Sequence, residues 1–138
     1  MFNIPALALV KEVLHTARTI AVVGFSPKEN RPSHMVGCYL MQVGFRVIPV
    51  NPGHSEICGV TCYPDLVSIP EPVDLVDIFR RSEDVLPVVA EAITIGAKVI
   101  WMQQGIVNQE AAVLAEKAGL VVIMDRCIKV DYMQFGSV

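Results

Sequence analysis

The sequence predicts an α/β protein: one open, mainly parallel sheet of about five strands, doubly wound, with helices on both faces. Three observations predict it. Short apolar runs alternate with stretches whose apolar residues recur at three and four positions, the pattern of strand–helix–strand units. Three helical stretches close on Gly44, Gly96 and Gly119, and each glycine leads almost directly into the next apolar run. Apolar residues make up 53% of the 138 and mean hydropathy is +0.50. No apolar run approaches the roughly 20 residues of a membrane span, and strands buried on both faces absorb such a surplus.

The elements follow in order. Residues 3–17 place Ile4, Leu7, Val10 and Leu14 at helical spacing, with Pro5 in the first turn, and predict an N-terminal helix covering one edge or face of the sheet. Thr19–Val23 is the first strand, ended by Gly24. Ser33 is the expected N-cap of the next helix, with Val36, Tyr39, Leu40 and Val43 inward and Gly44 as its left-handed stop. Phe45–Val50 is the second strand, and Asn51-Pro52-Gly53 is its turn. Residues 54–72 read as an irregular excursion with a short extended piece, Val60–Tyr63, and one helical turn at Asp65–Ser68. Val73–Phe79 is the third strand. Ser82 then caps a helix with Glu83 and Asp84 in its first turn and Val85, Val88, Val89, Ala92 and Ile93 inward. Lys98–Met102 is the fourth strand. Asn108 caps a helix with Leu114, Ala115 and Ala118 inward, and Leu120–Met124 is the fifth strand. Residues 128–138 form a short tail docked by Tyr132 or Phe135.

Right-handed crossovers make such strands parallel. The expected arrangement is therefore a single Rossmann-like domain over residues 1–138, with strand order 3-2-1-4-5. Its ligand crevice lies beyond the strand C-termini, at the switch point between the first and fourth strands. Five loops face it: Phe25–Ser33, Asn51–Gly53, Phe79–Ser82, Gln103–Asn108 and Asp125–Cys127.

Charge and motifs narrow the function. The net charge of −3 argues against a nucleic-acid partner. No secretion signal is visible, so Cys38, Cys58, Cys62 and Cys127 are expected as reduced thiols in a cytoplasm. Cys58 and Cys62 lie four apart with no second pair to complete a tetrahedral site, so no metal ligands are assigned. There is no Ser–His–Asp order, P-loop lysine or recognisable carboxylate pair, so no catalytic residues are assigned either. His34 reads as a structural or surface residue. The apolar content is compatible with a homodimer, whose surface nothing locates.

The first loop departs from the dinucleotide fingerprint. If Gly24 is its first glycine, Ser26 and Glu29 stand where the second and third belong. Asn51 ends the second strand where an acidic residue would hold a ribose. Both departures count against NAD. Ser26, Lys28, Arg31 and Ser33 beside a helix N-terminus still make a phosphate-binding inventory. Lys28 and Arg31 read either as phosphate ligands or as solvated loop charges, and Arg80 and Arg81 leave the third strand towards the same crevice. Cys127, beside Arg126 at the rim, reads either as a reactive thiol or as a small buried residue.

Four stretches carry a resemblance to a known family: V-V-G-F-S-P-K-E-N-R-P-S-H at 22–34, G-F-R-V-I-P-V-N-P-G at 44–53, V-D-L-V-D-I-F-R-R-S-E at 73–83, and W-M-Q-Q-G-I-V-N-Q-E-A at 101–111 with M-D-R-C at 124–127. Over roughly residues 13–132 the chain resembles the small bacterial and archaeal CoA-binding proteins related to the N-terminal domain of the succinyl-CoA synthetase α subunit. The resemblance implies coenzyme A as the ligand, without catalytic activity of its own. It implies that Gly24, Phe25, Ser26 and the segment from Arg31 to Ser33 hold the phosphates, and that Val50 and Asn51, with Lys28 nearby, line the nucleotide. Ile78, Phe79 and Arg80 would flank the adenine and its ribose phosphate; Met102, Gln103, Gln104 and Gly105 would border the pantetheine arm, with Cys127 at the thiol end. The synthetase relatives carry a phosphorylated histidine on a second domain, which this chain does not reach. A non-catalytic or regulatory CoA-binding protein is therefore expected. The alternatives are a component of an acyl-CoA synthetase or transferase acting with a partner chain, and an NAD(P)-binding module.

Overall fold

The computed structural model describes residues 4–136, with side chains described from Leu7 onward. The start of the predicted first helix at Asn3, the side chain of Ile4 and the last two residues of the tail lie outside the described residues. The chain runs α1 (Ile4–Thr16), β1 (Thr19–Val23), α2 (Pro32–Gln42), β2 (Arg46–Val50), a short hairpin of β3 (Glu56–Ile57) and β4 (Val60–Thr61), and a helical turn at Leu66–Ser68. It continues with β5 (Leu75–Ile78), a turn at Ser82–Asp84, α3 (Val85–Thr94), β6 (Val99–Met102), α4 (Gln109–Lys117), β7 (Val121–Ile123) and α5 (Ile128–Asp131). Five of the strands form one fully parallel sheet.

The sheet order is β2-β1-β5-β6-β7. In the sequence numbering this is 2-1-3-4-5, which corrects the expected 3-2-1-4-5 while leaving the doubly wound class intact. Right-handed crossovers permit both orders; the excursion between the second and third strands decides. Its Leu66 and Ile69 pack on the face that carries α3, opposite α2, so the chain reverses direction across the sheet and passes β1. The next strand then docks on the free side of β1. Asp74 pins it there: its carboxylate accepts the Arg18 and Thr19 N–H groups, each at 2.9 Å, and its own N–H donates to the Thr19 carbonyl at 3.0 Å. The switch point consequently falls between β1 and β5.

The two layers bury complementary sets. Val10, Val13 and Leu14 of α1, Val36 and Leu40 of α2, and Ile128 of α5 pack on Ile20, Val22, Val47, Leu75 and Trp101. Val85, Val89 and Ala92 of α3 and Ala111 and Ala115 of α4 cover Ala21, Val23, Ile48, Val76, Ile78, Ile100 and Met102. Edge strand β2 accommodates Pro49, which has no N–H to donate. Its open side is joined by Tyr63, whose N–H donates to the Pro49 carbonyl at 3.0 Å. Among the described residues, no helix is long and apolar enough to cross a membrane.

Strands β2, β5, β6 and β7 are shorter than expected by one to three residues, the expected extended piece Val60–Tyr63 is half of the β3–β4 hairpin, and four other local features differ from the sequence reading. Helix α2 starts at Pro32 with Arg31 as N-cap, not Ser33, because proline has no N–H to leave unpaired in the first turn. Ser82 does not cap a helix; its hydroxyl and carbonyl accept from Val107 N–H and Asn108 Nδ2 and tie two loops together. In α4, Ala111, Ala112 and Ala115 face inward while Leu114 and Ala118 are exposed, the phase being set by the Asn108 cap on Ala111. The tail is helical, and Tyr132 packs edge-on against Tyr39 and Phe45.

Candidate functional site

The loops at the strand C-termini are tied to one another in sheet order. Asn51 Nδ2 donates to the Phe25 carbonyl at 2.8 Å, joining the second loop to the first. Ser82 joins the third to the fourth. Asp125 accepts the Gly105 N–H at 2.7 Å and joins the fourth to the fifth. At the switch point, Gly24 (φ +89°) lies so close to β5 that an added methyl would overlap the Phe79 carbonyl. Only glycine satisfies both the left-handed backbone and the close approach.

The first loop folds back onto the start of α2. The Ser26 N–H donates to Ser33 Oγ at 2.9 Å, and the Lys28 N–H donates to Ser26 Oγ at 3.1 Å. Ser33 is buried. Phe25 is fully buried, with its ring so close over Gly37 that a side chain there would overlap it. The loop is thereby held in one conformation, and α2 begins without a side-chain cap. An uncapped N-terminus presents free N–H and the positive end of the helix dipole.

Beside it opens a cavity of about 380 Å³. Gly24, Ser26, Arg31 and Ser33 line one wall; Phe79, Arg80 and Arg81 line the other, with Pro32 and Ile106 between. A smaller cavity of about 90 Å³ continues past Arg80, between Val23, Val50, Leu66 and Val88. Arg80 borders both. Among the described residues, no ion pair engages Lys28, Arg31 or Arg80, whereas Arg81 is held by Asp84 at 2.9 Å. Among the described residues, no carboxylate, histidine or thiol lies on the wall of the larger cavity, whereas Asp65 and Glu91 line the smaller one. The arrangement suits an extended anion. Another opening, of about 300 Å³, lies at the opposite end of the sheet between Leu14, Arg18 and Tyr132, away from the converging loops.

The other sequence-predicted residues divide into border and support. Val50 borders the small cavity from the core, and Ile78 and Met102 are fully buried. Gln103 is also buried, and its Oε1 accepts the Ile128 N–H at 3.0 Å, so it orders the fifth loop. Gln104 and Gly105 are exposed at the rim, as is Lys28 on the first loop. Cys127 is half-buried against the α1–α2 layer and does not line either cavity. Its neighbour Arg126 is committed elsewhere, to Asp131 at 2.7 Å. Arg81 and Ile106 line the larger cavity without a ligand contact assigned to them from the sequence, and Val23, Pro64, Asp65, Leu66, Val88 and Glu91 do so in the smaller one. Ile106 carries no polar signal, whereas Arg81 does.

Comparison with known proteins identifies the family. Residues 18–133 match the CoA binding domain family. The uncharacterized protein YneT of Bacillus subtilis is 44% identical over 128 residues, covering 93% of this chain and 95% of that one. A hypothetical protein from Pyrococcus horikoshii OT3 superposes with a TM-score of 0.92 at 36% identity, over 95% of this chain and 92% of that one. An ADP-forming acetate–CoA ligase of Archaeoglobus fulgidus is 29% identical over 127 residues; the match takes in 85% of this chain but 18% of the ligase. The chain belongs to the CoA-binding domain family.

Proposed function

We propose that this member of the CoA-binding domain family binds coenzyme A, free or acylated, in the cavity at the β1–β5 switch point and catalyses no reaction there by itself. The observation that carries the reading is the pairing of the uncapped α2 N-terminus with Arg31 and Arg80 around a cavity whose wall, among the described residues, holds no carboxylate, histidine or thiol. A diphosphate is matched by backbone N–H groups and guanidinium donors. Arg80, shared by both cavities, is suited to the ribose phosphate, with the adenine directed past it towards Val50. The pantetheine arm leaves over Ile106 towards the exposed Gln104 and Gly105. Cys127 is not required by this reading.

Thermal unfolding with CoA, dephospho-CoA, NAD, NADP and ATP tests it. At about a hundredfold excess over Kd a ligand stabilises the native state by about 2.7 kcal/mol, which for 138 residues raises Tm by about 9 °C. CoA is expected to give the largest shift and dephospho-CoA a smaller one. Equal shifts for all five ligands would overturn the assignment. A second reading draws on the ligase similarity: the chain supplies the CoA-binding part of a synthetase completed by partner chains. Co-purification with a nucleotide-binding partner and ligase activity of the mixture favour that reading over a stand-alone binder.

A further inference from the structure

Outside the anion cavity, three side chains with metal-ligating atoms converge on one point. His34 and Cys38 stand four residues apart on α2 and so share a face. Cys58 comes from the tip of the β3–β4 hairpin, more than a dozen residues further along the chain. Its Sγ lies 3.1 Å from Cys38 Sγ and 3.5 Å from His34 Nε2. The three donor atoms lie within 4.8 Å of one another. The thiols are free, and Cys58 is exposed.

Two further features bear on what this cluster is for. Cys58 and Gly59 are both left-handed, at φ +54° and +76°, which makes the hairpin a two-residue turn of the type that favours Asn-Gly. A cysteine holds a position that asparagine or glycine would fill with less strain, and its side chain is delivered to His34 and Cys38. Separately, His34 Nδ1 lies 2.8 Å from the Ser26 carbonyl. A carbonyl only accepts, so Nδ1 carries the proton and Nε2 presents its lone pair to the cluster. A ligating histidine is ordinarily oriented in this way by its other ring nitrogen.

The geometry points to a site for a thiophilic d10 cation, Zn²⁺ first, held by His34 Nε2, Cys38 Sγ and Cys58 Sγ with a fourth position open. For Zn–S bonds of about 2.3 Å and a Zn–N bond of about 2.0 Å, tetrahedral edges are about 3.5 Å for S···N and about 3.8 Å for S···S. The His34–Cys58 separation already has the first value. The second requires the two sulfurs to part by about 0.7 Å, a small rotation for the exposed Cys58. Thiolate and imidazole together select zinc-like ions over magnesium or calcium. A disulfide between Cys38 and Cys58 would instead need the sulfurs to close by about 1 Å and would give His34 no role. Spacing alone hides the cluster, because the turn that joins its halves exists only once the hairpin lies against α2.

The test uses the full chain, reduced with a phosphine, freed of metal with a chelator and titrated with Co²⁺ and then Zn²⁺. The expected result is one Co²⁺ per chain with thiolate-to-cobalt charge-transfer absorption, displaced by Zn²⁺. His34→Gln, Cys38→Ser and Cys58→Asn each weaken binding by about tenfold or more, and the double cysteine variant abolishes the absorption. Cys58→Asn keeps the turn chemistry, so lost binding there is not lost folding. Cys62→Ser and Cys127→Ser leave the absorption unchanged. Absence of charge-transfer absorption at excess metal, or its survival in the double variant, overturns the proposal. Neither result depends on whether CoA binds.

Discussion

Replacing Asp77 by asparagine should change how stability depends on pH more than it changes the fold. Asp77 lies in the middle of β5, in register with Val22 of β1 and Trp101 of β6. It is fully buried, and among the described residues neither carboxylate oxygen has a hydrogen-bond partner. Burial pushes its pKa well above the ordinary aspartate value, so the native chain keeps a proton that the unfolded chain releases. The folded pKa is the raised one. The stabilisation is complete below the unfolded value of about 3.9 and is lost as pH rises towards the folded value. Across that window unfolding becomes easier as pH rises, by no more than the one-proton limit of about 1.4 kcal/mol per pH unit. The asparagine side chain of the Asp77→Asn variant has nearly the same shape and no proton to release. Urea denaturation of both proteins at pH 5, 6 and 7 measures the effect. The stability difference between them should shift in favour of the variant as pH rises, by at most about 1.4 kcal/mol per unit. Parallel stability–pH curves would refute a protonated, unpartnered Asp77.

Two other substitutions test the site and the strand order. Arg80→Ala removes the one cation shared by both cavities and should weaken CoA binding by about tenfold to a hundredfold, with Tm of the ligand-free protein unchanged; isothermal titration measures it, and an unaltered Kd would remove Arg80 from the site. Asp74→Ala strands the Arg18 and Thr19 N–H groups that place β5 beside β1. It should cost about 1–3 kcal/mol, read as a fall in Tm of about 3–10 °C; a change within error would show that the carboxylate does not hold the pairing.

Much of this protein is legible in the chain itself, because the relevant signals are local. Apolar runs of five or six residues between helical periods are enough for a parallel sheet, and the glycines at 24, 44, 96 and 119 punctuate it where φ turns positive. The polar first loop with Arg31 and Ser33, and the arginine that follows Phe79, mark a candidate anion site by residue type alone. What local signals leave open is how they are assembled. The order of the sheet depends on an excursion without an α-helix, whose path across one face is set by Leu66 and Ile69 finding the α3 layer. The division of labour among the candidate residues depends on it too. Gln103 and Asn51 carry the same kind of polar side chain as the other candidate residues, yet their partners across the sheet make them loop braces. The convergence of His34, Cys38 and Cys58, and the isolation of Asp77 between Val22 and Trp101, are likewise tertiary facts. The sequence by itself determined the class of fold and the family, since hydrophobic period and local motifs act residue by residue. Tertiary structure decided which polar groups face the crevice and which serve the core, because a side chain's partner is set by distances between segments that the chain brings together only on folding.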